Sequence, residues 1–174
     1  AEDGTPCSFG GCLFSRPVDR RDQFDNLSPR LEFNWNATDR HRAYVAATTG
    51  FRPPEITELY RLQRSQRIAD LDSENIRAVE VGWRHVGERG FWHVAAFDQI
   101  KRELIIRDAN GFNVTGGRTT HRGIEWEWRR QLGDAWLIGS SGTLARHRYD
   151  FDTVIEGGET IVRGRDVDTA PRRL

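Results

Sequence analysis

The sequence predicts an all-β fold, made of antiparallel, up-and-down strands of a transmembrane β-barrel with long outer loops and short turns. First, residues 118–151 form a hairpin with two arms of about 14 residues each, whereas strands of globular proteins have about 5–6, and the first arm alternates polar and apolar side chains. Second, all six tryptophans lie in strand segments that flank short turns. Third, short turns near residues 38, 88 and 134 alternate with longer loops at 53–74, 107–117 and 152–170.

The first strands are read from the alternation alone. Residues 1–29 lack periodicity and are predicted to be an outer loop. From Arg30, apolar residues alternate with polar ones, and the chain turns at 37–40. A return strand covers 42 to about 52, where Pro53 and Pro54 end it because proline cannot donate to a β-ladder.

The middle of the chain contains a charged loop and two further strands. Residues 55–74 form the loop, and its segment ITELYRLQ is predicted to be a short helix opened by the prolines. A third strand covers 75–86, and a fourth follows the turn at 87–90. That fourth strand, 91–107, is apolar on both faces, so its sides cannot be assigned.

The end of the chain repeats this organisation. The long hairpin turns at Gly133–Asp134, with its second arm running from Trp136. Residues 152–170 are predicted to be a long polar loop, and 170–174 resemble the start of another strand.

Composition alone would suggest a soluble protein. The chain has 174 residues, 30% of them charged, with a mean hydropathy of −0.69. No apolar run approaches the roughly 18 residues of a membrane helix. Barrel strands escape this test because every second side chain is polar. The net charge of zero predicts no attraction to nucleic acid.

The tryptophans predict a membrane-interface girdle. If the strands run up and down, the indoles form one band near the short turns, as the half-polar ring favours the membrane interface. Packing of the indoles inside a sandwich core is the alternative. The residues are Trp35, Trp83, Trp92, Trp126, Trp128 and Trp136.

Cys7 and Cys12 are the only cysteines. The four residues between them include Gly10 and Gly11 and allow a small disulfide loop, which would indicate an oxidising compartment. A metal site there would need further ligands nearby, and the sequence has none.

Two charged groups are candidate ligand sites. In the third and fifth strands, Glu80, Glu125 and Glu127 alternate with Arg84 and Arg129, which favours a salt-bridged lumen wall over a ligand site. No histidine spacing predicts a metal site and no nucleophile motif is present, so neither a cofactor nor enzymatic activity is expected. In the loop, the arginines could bind an anionic ligand through their forked donors. These loop candidates are Arg61, Arg64 and Arg67, beside Tyr60.

Several motifs, in order along residues 24–174, resemble the barrel of TonB-dependent outer-membrane receptors. The segment GFRPP followed by ELY resembles a strand end that leads into an extracellular loop in that family. VEVG in the third strand and RGIEWE in the fifth resemble two of its barrel strands. The matching residues are Phe51, Arg52, Pro53, Pro54, Glu58, Leu59, Tyr60, Glu80, Gly123 and Glu125.

The resemblance implies a protein of the bacterial outer membrane with roughly 22 barrel strands. The chain is then expected to be an internal piece of about six to seven strands, with residues 1–29 as an outer loop and 30–174 as hairpins and loops. The family's plug domain has no counterpart here. The expected partners are the rest of the barrel, the plug, the lipid bilayer, a TonB-type energy-transducing complex acting on the plug, and a ferric siderophore as ligand.

A different class of protein would also fit the strand pattern. A self-contained small β-barrel or sandwich could bind a ligand by itself. Such a fold would bury its tryptophans and pair its first strand with its last.

Overall fold

The computed structural model describes residues 21–60 and 69–167, which form one six-stranded antiparallel sheet and a small hairpin. Among these residues, no helix has the length and apolar composition needed to cross a bilayer. The six strands of the sheet are β1 (Arg30–Thr38), β2 (His41–Arg52), β3 (Glu74–Gly87), β4 (Gly90–Arg107), β5 (Asn113–Leu132) and β6 (Trp136–Tyr149).

The sheet has up-and-down connectivity, because each strand pairs with the next one in the chain. The described part of the chain contains no pairing between β1 and β6, so each of these strands keeps one open edge. The self-contained barrel required that pairing, and the structure does not provide it. The predicted antiparallel barrel segment is confirmed.

The connection between β4 and β5 is shorter than predicted. We expected a long loop over 107–117, but β5 begins at Asn113 and only residues 108–112 connect the strands. The prediction was wrong because Asp108 closes a tight turn. Its Oδ1 accepts hydrogen bonds from the backbone N–H groups of Asn110 and Phe112, each at 2.9 Å.

Two further segments differ from the prediction. Residues 152–170 were expected to be loop, but they contain a hairpin of β7 (Thr153–Val154) and β8 (Thr160–Ile161) around a 3₁₀ turn. Backbone pairing of Asp108 with Ile155 holds this hairpin beside the β4–β5 turn. The helix α1 covers only Ile56–Leu59. The predicted strand start at 170–174 lies outside the described residues.

One face of the sheet, called here the apolar face, carries large exposed apolar side chains. Phe33, Val81 and Leu144 expose 70%, 52% and 57% of their surface, so nothing in the described chain covers this face. These residues belong to a continuous row of cross-strand partners, which is Phe33, Val45, Val81, Ala96, Ile124 and Leu144.

The opposite face, called here the polar face, carries the charged side chains and the small buried centre. Ala46 and Ala95 are buried there beside the Tyr44 ring. Tyr44 and Gly82 are cross-strand partners, and a Cβ on Gly82 would lie 2.3 Å from the Tyr44 ring. Glycine is therefore required where the ring crosses the neighbouring strand.

The register also assigns the faces of β4, which its sequence left open. Val94 and Ala96 pair with Trp83 and Val81 on the apolar face. Phe97 pairs with Glu80 and Gly123 on the polar face. A Cβ on Gly123 would lie 2.7 Å from the Phe97 ring, so this phenylalanine fills the space over a glycine.

Candidate functional site

Arg52 joins three segments at the long-loop end of the polar face. It is the cross-strand partner of Glu74, and its Nε donates to Glu74 Oε2 at 2.9 Å. Its two terminal nitrogens donate to both carboxylate oxygens of Glu58 in α1, at 2.9 and 3.1 Å. This forked geometry is the strong form of an arginine–carboxylate pair. The hydrogen bonds to Glu74 and Glu58 raise the pKa of Arg52 further above its ordinary value.

Glu74 is the buried centre of the same network, with its side chain only 4% exposed. Besides Arg52, it contacts Lys101 Nζ at 2.7 Å and accepts the backbone N–H of Ile105 at 3.0 Å. Burial alone would raise the pKa of this carboxyl, but the donors of Arg52, Lys101 and Ile105 outweigh burial and lower the pKa from 4.5 to about 2. Glu74 therefore remains ionised and holds β2, β3 and β4 together.

The short helix α1 is fixed onto this network from the other side. Glu55 and Glu58 form a reciprocal capping box, in which Glu58 Oε2 also accepts the Glu55 N–H at 2.7 Å. Asn113 Nδ2 donates to the Glu58 carbonyl at 2.8 Å, and Leu59 is buried. The GFRPPEITEL segment thus anchors the beginning of the long loop to the strand ends.

A groove of about 630 Å³ lies between α1 and the ends of β4 and β5. Tyr60 stands at its edge, and its hydroxyl donates a hydrogen bond to Asp22. The candidate ligand residues Arg61, Arg64 and Arg67 follow directly but lie outside the described residues, so their binding role stays a prediction. The groove is lined by Ile56, Thr57, Glu58, Tyr60, Ile105, Ile106, Arg107 and Asn113.

The predicted lumen wall consists of polar side chains bonded to each other. Tyr44 donates to Glu80 Oε1 at 2.6 Å, and its oxygen lies 2.9 Å from His93 Nε2. Arg129 pairs with Glu127 at 2.8 Å on the polar face. Glu125 lies beside His93 in a shallow groove of about 430 Å³. This pairing supports the wall interpretation over a ligand site for these carboxylates.

The remaining motif residues lie around the end of β2. Phe51 is exposed on the apolar face, Pro53 is exposed, and Pro54 is buried. Sequence reasoning included Arg52 and its partner Glu58 but missed the ion pairs of Glu74 with Arg52 and Lys101. The signal that could have found them is a charged residue placed at a strand end next to apolar positions.

The six tryptophans occupy the part of the sheet nearest the short turns. Trp35, Trp83 and Trp126 share one row of cross-strand partners on the apolar face. Trp92 and Trp128 pair with each other one row closer to the turns. Trp136 begins β6 at the turn itself and is 71% exposed.

Four of the five histidines, which looked scattered in the sequence, form two cross-strand pairs. His41 Nε2 lies 3.1 Å from His85 Nδ1, and His121 Nδ1 lies 2.7 Å from His147 Nδ1. Within residues 21–60 and 69–167, no group of three or more His, Cys, Asp or Glu side chains is arranged to hold a metal ion. Cys7 and Cys12 lie outside the described residues, so their disulfide stays a prediction.

A comparison with protein families matches residues 9–174 to the family described as TonB dependent receptor-like, beta-barrel. This match covers all six strands of the sheet and the segments at both ends of it. A comparison with curated protein sequences gave no significant match.

Two solved structures share the fold. The ferric yersiniabactin uptake receptor FyuA from Yersinia pestis superposes with a TM-score of 0.64 at 18% identity, over 83% of this chain and 21% of the receptor. The FrpB iron transporter from Neisseria meningitidis (F3-3 variant) gives 0.56 at 14% identity, over 71% of this chain and 20% of the transporter. The chain thus spans about a fifth of each, and at these identities the likeness establishes the fold alone.

Proposed function

Since this chain belongs to the TonB-dependent receptor-like β-barrel family, we propose that it forms part of the wall of an energised outer-membrane receptor that imports a scarce ligand. Barrels of this family are proteins of the outer membrane of Gram-negative bacteria. In this proposal, the chain contributes six wall strands, the turns on the periplasmic side and the bases of the outer loops. No chemical step on the ligand is part of the proposal.

The observation that carries the proposal is the uncovered apolar face. On β5 the apolar residues of this face run from Ile124 to Leu132, eight residues apart, and Arg130 interrupts them. At roughly 3.3 Å per residue and a strand tilt of about 40°, this distance spans about 20 Å along a barrel axis, which is most of the roughly 25 Å apolar band of outer-membrane barrels. Ile124, Trp126 and Trp128 on this stretch are 49%, 37% and 38% exposed. In a bilayer, the lipid hydrocarbon would keep these side chains out of water.

The open edges and the polar face support the proposed partners. In lipid every backbone N–H and C=O needs a partner, so β1 and β6 would pair with further strands of a larger barrel. The bonded side chains around Tyr44, Glu80 and His93 would face a water-filled lumen and a plug domain. An energy-transducing TonB-type complex would act on that plug.

We propose a ferric siderophore as the ligand. The names of the two structural relatives, a ferric yersiniabactin uptake receptor and an iron transporter, support iron as cargo. In this chain, three arginines follow the anchored helix α1 at the outer mouth, where they could meet an anionic complex with forked donors. The Arg52–Glu58–Glu74 network would hold the base of that loop in place.

The membrane position is tested by fluorescence of the full-length receptor in vesicles of brominated phosphatidylcholine. Bromine quenches indoles by contact, so strong quenching is expected if the tryptophans form an interface girdle. Replacing Trp35, Trp83 and Trp126 with phenylalanine should remove a large part of the quenchable signal. Emission that is equally strong in brominated and unbrominated vesicles would refute the membrane position.

The ligand is tested by uptake of radioactive iron–siderophore complexes into iron-starved cells that depend on this receptor. Replacing Arg61, Arg64 and Arg67 with glutamine should lower the apparent affinity by about tenfold or more, as each charged hydrogen bond contributes about 1.5–3 kcal/mol. The matched control replaces three arginines near the short turns, Arg40, Arg89 and Arg130.

The two triple variants separate the possible outcomes of the uptake experiment. Loss of affinity only in the loop variant supports the binding role. Unchanged uptake in the loop variant removes these arginines from the site. If a correctly inserted receptor takes up no ferric siderophore, a ferric siderophore is not its cargo.

A further inference from the structure

Four charged residues interrupt the apolar face at its long-loop side. They are Arg77 on β3, Asp98 on β4, Arg122 on β5 and Arg146 on β6, called here the arginine patch. Each lies two residues beyond an apolar residue of the same face, as Arg122 does beyond Ile124 and Arg146 beyond Leu144. Three guanidinium groups and one carboxylate give the patch an excess of positive charge.

Two of these arginines are direct cross-strand partners. Arg122 pairs with Arg146 on neighbouring strands, and like charges in this arrangement destabilise a sheet. Asp98 compensates only part of the charge, since its Oδ2 contacts Arg122 Nε at 2.6 Å. The Asp98 contact is made at Nε of the Arg122 guanidinium. Among the described residues, no carboxylate lies within salt-bridge distance of Arg77 or Arg146.

An apolar groove of about 840 Å³ adjoins the patch. Leu31, Ala47, Val79 and Ile100 line it, and Arg77, Asp98 and Arg122 stand at its border. This groove opens on the apolar face, since Leu31 pairs with Ala47 and Ala47 with Val79. The structure therefore combines a patch of net positive charge with an apolar groove on one continuous surface.

We propose that this surface is a binding site for a phosphorylated, acylated glycolipid of the outer leaflet, of the lipid A type. Arg122, Arg146 and Arg77 would bind its phosphate groups, and an acyl chain would occupy the groove. The phosphate would also offset the repulsion between the paired arginines. Arginine suits this role because its fork of N–H donors matches phosphate oxygens in pairs.

The position of the patch favours a lipid over a soluble anion or a protein partner. On β5 it stands at the boundary of the apolar stretch, about 25 Å along the barrel axis from the turn end, which is where lipid head groups begin. The patch also continues directly into the apolar face without an intervening polar rim. This inference rests on the proposed membrane position, but it is independent of the transported ligand.

The test uses the purified, delipidated full-length receptor in phosphatidylcholine vesicles that contain lipid A with both phosphates. After a detergent wash, the lipid A retained per receptor is measured by mass spectrometry. Replacing Arg122 and Arg146 with glutamine should reduce retention by about tenfold. The matched control, Arg130→Gln, removes an exposed arginine on the same face of β5 at its other end and should leave retention unchanged.

A charge reversal separates lipid binding from a structural effect. Arg146→Glu replaces a like-charge cross-strand pair with an opposite-charge pair, which should preserve or strengthen the fold. Its lipid A retention should fall at least as far as in the double glutamine variant. Folding of each variant is checked by heat-modifiable migration in gels, a property of intact barrels.

Each outcome decides the inference. Selective loss in the two patch variants, with dephosphorylated lipid A retained poorly by the unmodified receptor, supports it. Equal retention in all variants, equal loss in Arg130→Gln, or full competition by millimolar inorganic phosphate overturns it. Tryptophan quenching in matching vesicles made with brominated phosphatidylcholine distinguishes the two proposals. Strong quenching with unchanged retention rejects only the lipid site, and absent quenching rejects the membrane position itself.

Discussion

Glu74→Gln should release the base of the long loop from the strand ends. The substitution keeps the size of the side chain but removes the charge that Arg52 and Lys101 share at 2.9 and 2.7 Å. The shift of the Glu74 pKa from 4.5 to about 2 corresponds to about 3 kcal/mol. Because the Arg52 and Lys101 side chains are 39% and 34% exposed, solvent screening reduces this to about 2 kcal/mol.

The loss should be local, so hydrogen–deuterium exchange of the full-length receptor is the appropriate assay. At pH 7, amides of residues 55–60 and of Ile105 should lose about 30-fold of their protection, which is the population change for about 2 kcal/mol. Ile105 is informative because its N–H donates directly to Glu74. The control is Glu88→Gln, which removes a carboxylate that pairs with Arg40 but is 85% exposed. Protection within twofold of the unmodified receptor would refute the anchoring role, as would an equal effect of the control.

The same network predicts a pH dependence with a defined sign. Glu74 has a lowered pKa in the folded state, so its contribution is fully present above pH 4.5 and is lost as the pH falls from 4.5 to about 2. Protection of Ile105, corrected for intrinsic exchange rates, should decline through this window. The decline should be absent in Glu74→Gln, where no carboxyl titrates. A decline of the same size in both proteins would assign it to other groups.

Two further substitutions test the polar face and the β4–β5 turn. Gly82→Ala should destabilise the sheet by about 1–3 kcal/mol, because its Cβ would lie 2.3 Å from the Tyr44 ring. Adding Tyr44→Ala should recover part of the lost stability, measured as the folded yield in gel migration. If the second substitution recovers nothing, the ring contact is not the cause. Asp108→Ala should lower the stability of the β4–β5 turn by about 1 kcal/mol, since two backbone amides of the turn lose their acceptor. Hydrogen–deuterium exchange of the turn amides measures this loss. Asp134→Ala in the β5–β6 turn is the control.

The sequence predicted the strands whose two faces differ in polarity. In β1, β3 and β5 the alternation identified strand, face and turn within a few residues, because a period of two follows directly from backbone geometry. It did not predict the strand length of β5, which begins at Asn113 instead of Arg118. In residues 113–117, before Arg118, polar and apolar side chains no longer alternate, and only pairing with β4 keeps the backbone extended.

The candidate site was predictable only in part, because its contacts join residues far apart in the chain. The family motif includes Arg52 and Glu58, but nothing in the local sequence identifies Glu74, 22 residues after Arg52, as the second carboxylate that Arg52 binds. Long-range ion pairs leave no periodic signal. The same holds for His41 and His85, whose contact depends on the register of β2 and β3.

The faces of β4 show why apolar alternation fails at specific positions of a barrel wall. Phe91, Ala95 and Phe97 belong to the polar face, although their residue types suggest the other one. Phe97 lies over Gly123 on the neighbouring strand, and Phe91 lies 5.3 Å from the Arg129 guanidinium in a cation–π contact. A glycine or an arginine on one strand thus provides the contact that allows an aromatic residue of the next strand to lie on the polar face. Reading β4 together with β5, strand against strand, would have assigned both faces, because the missing information lies in the pair.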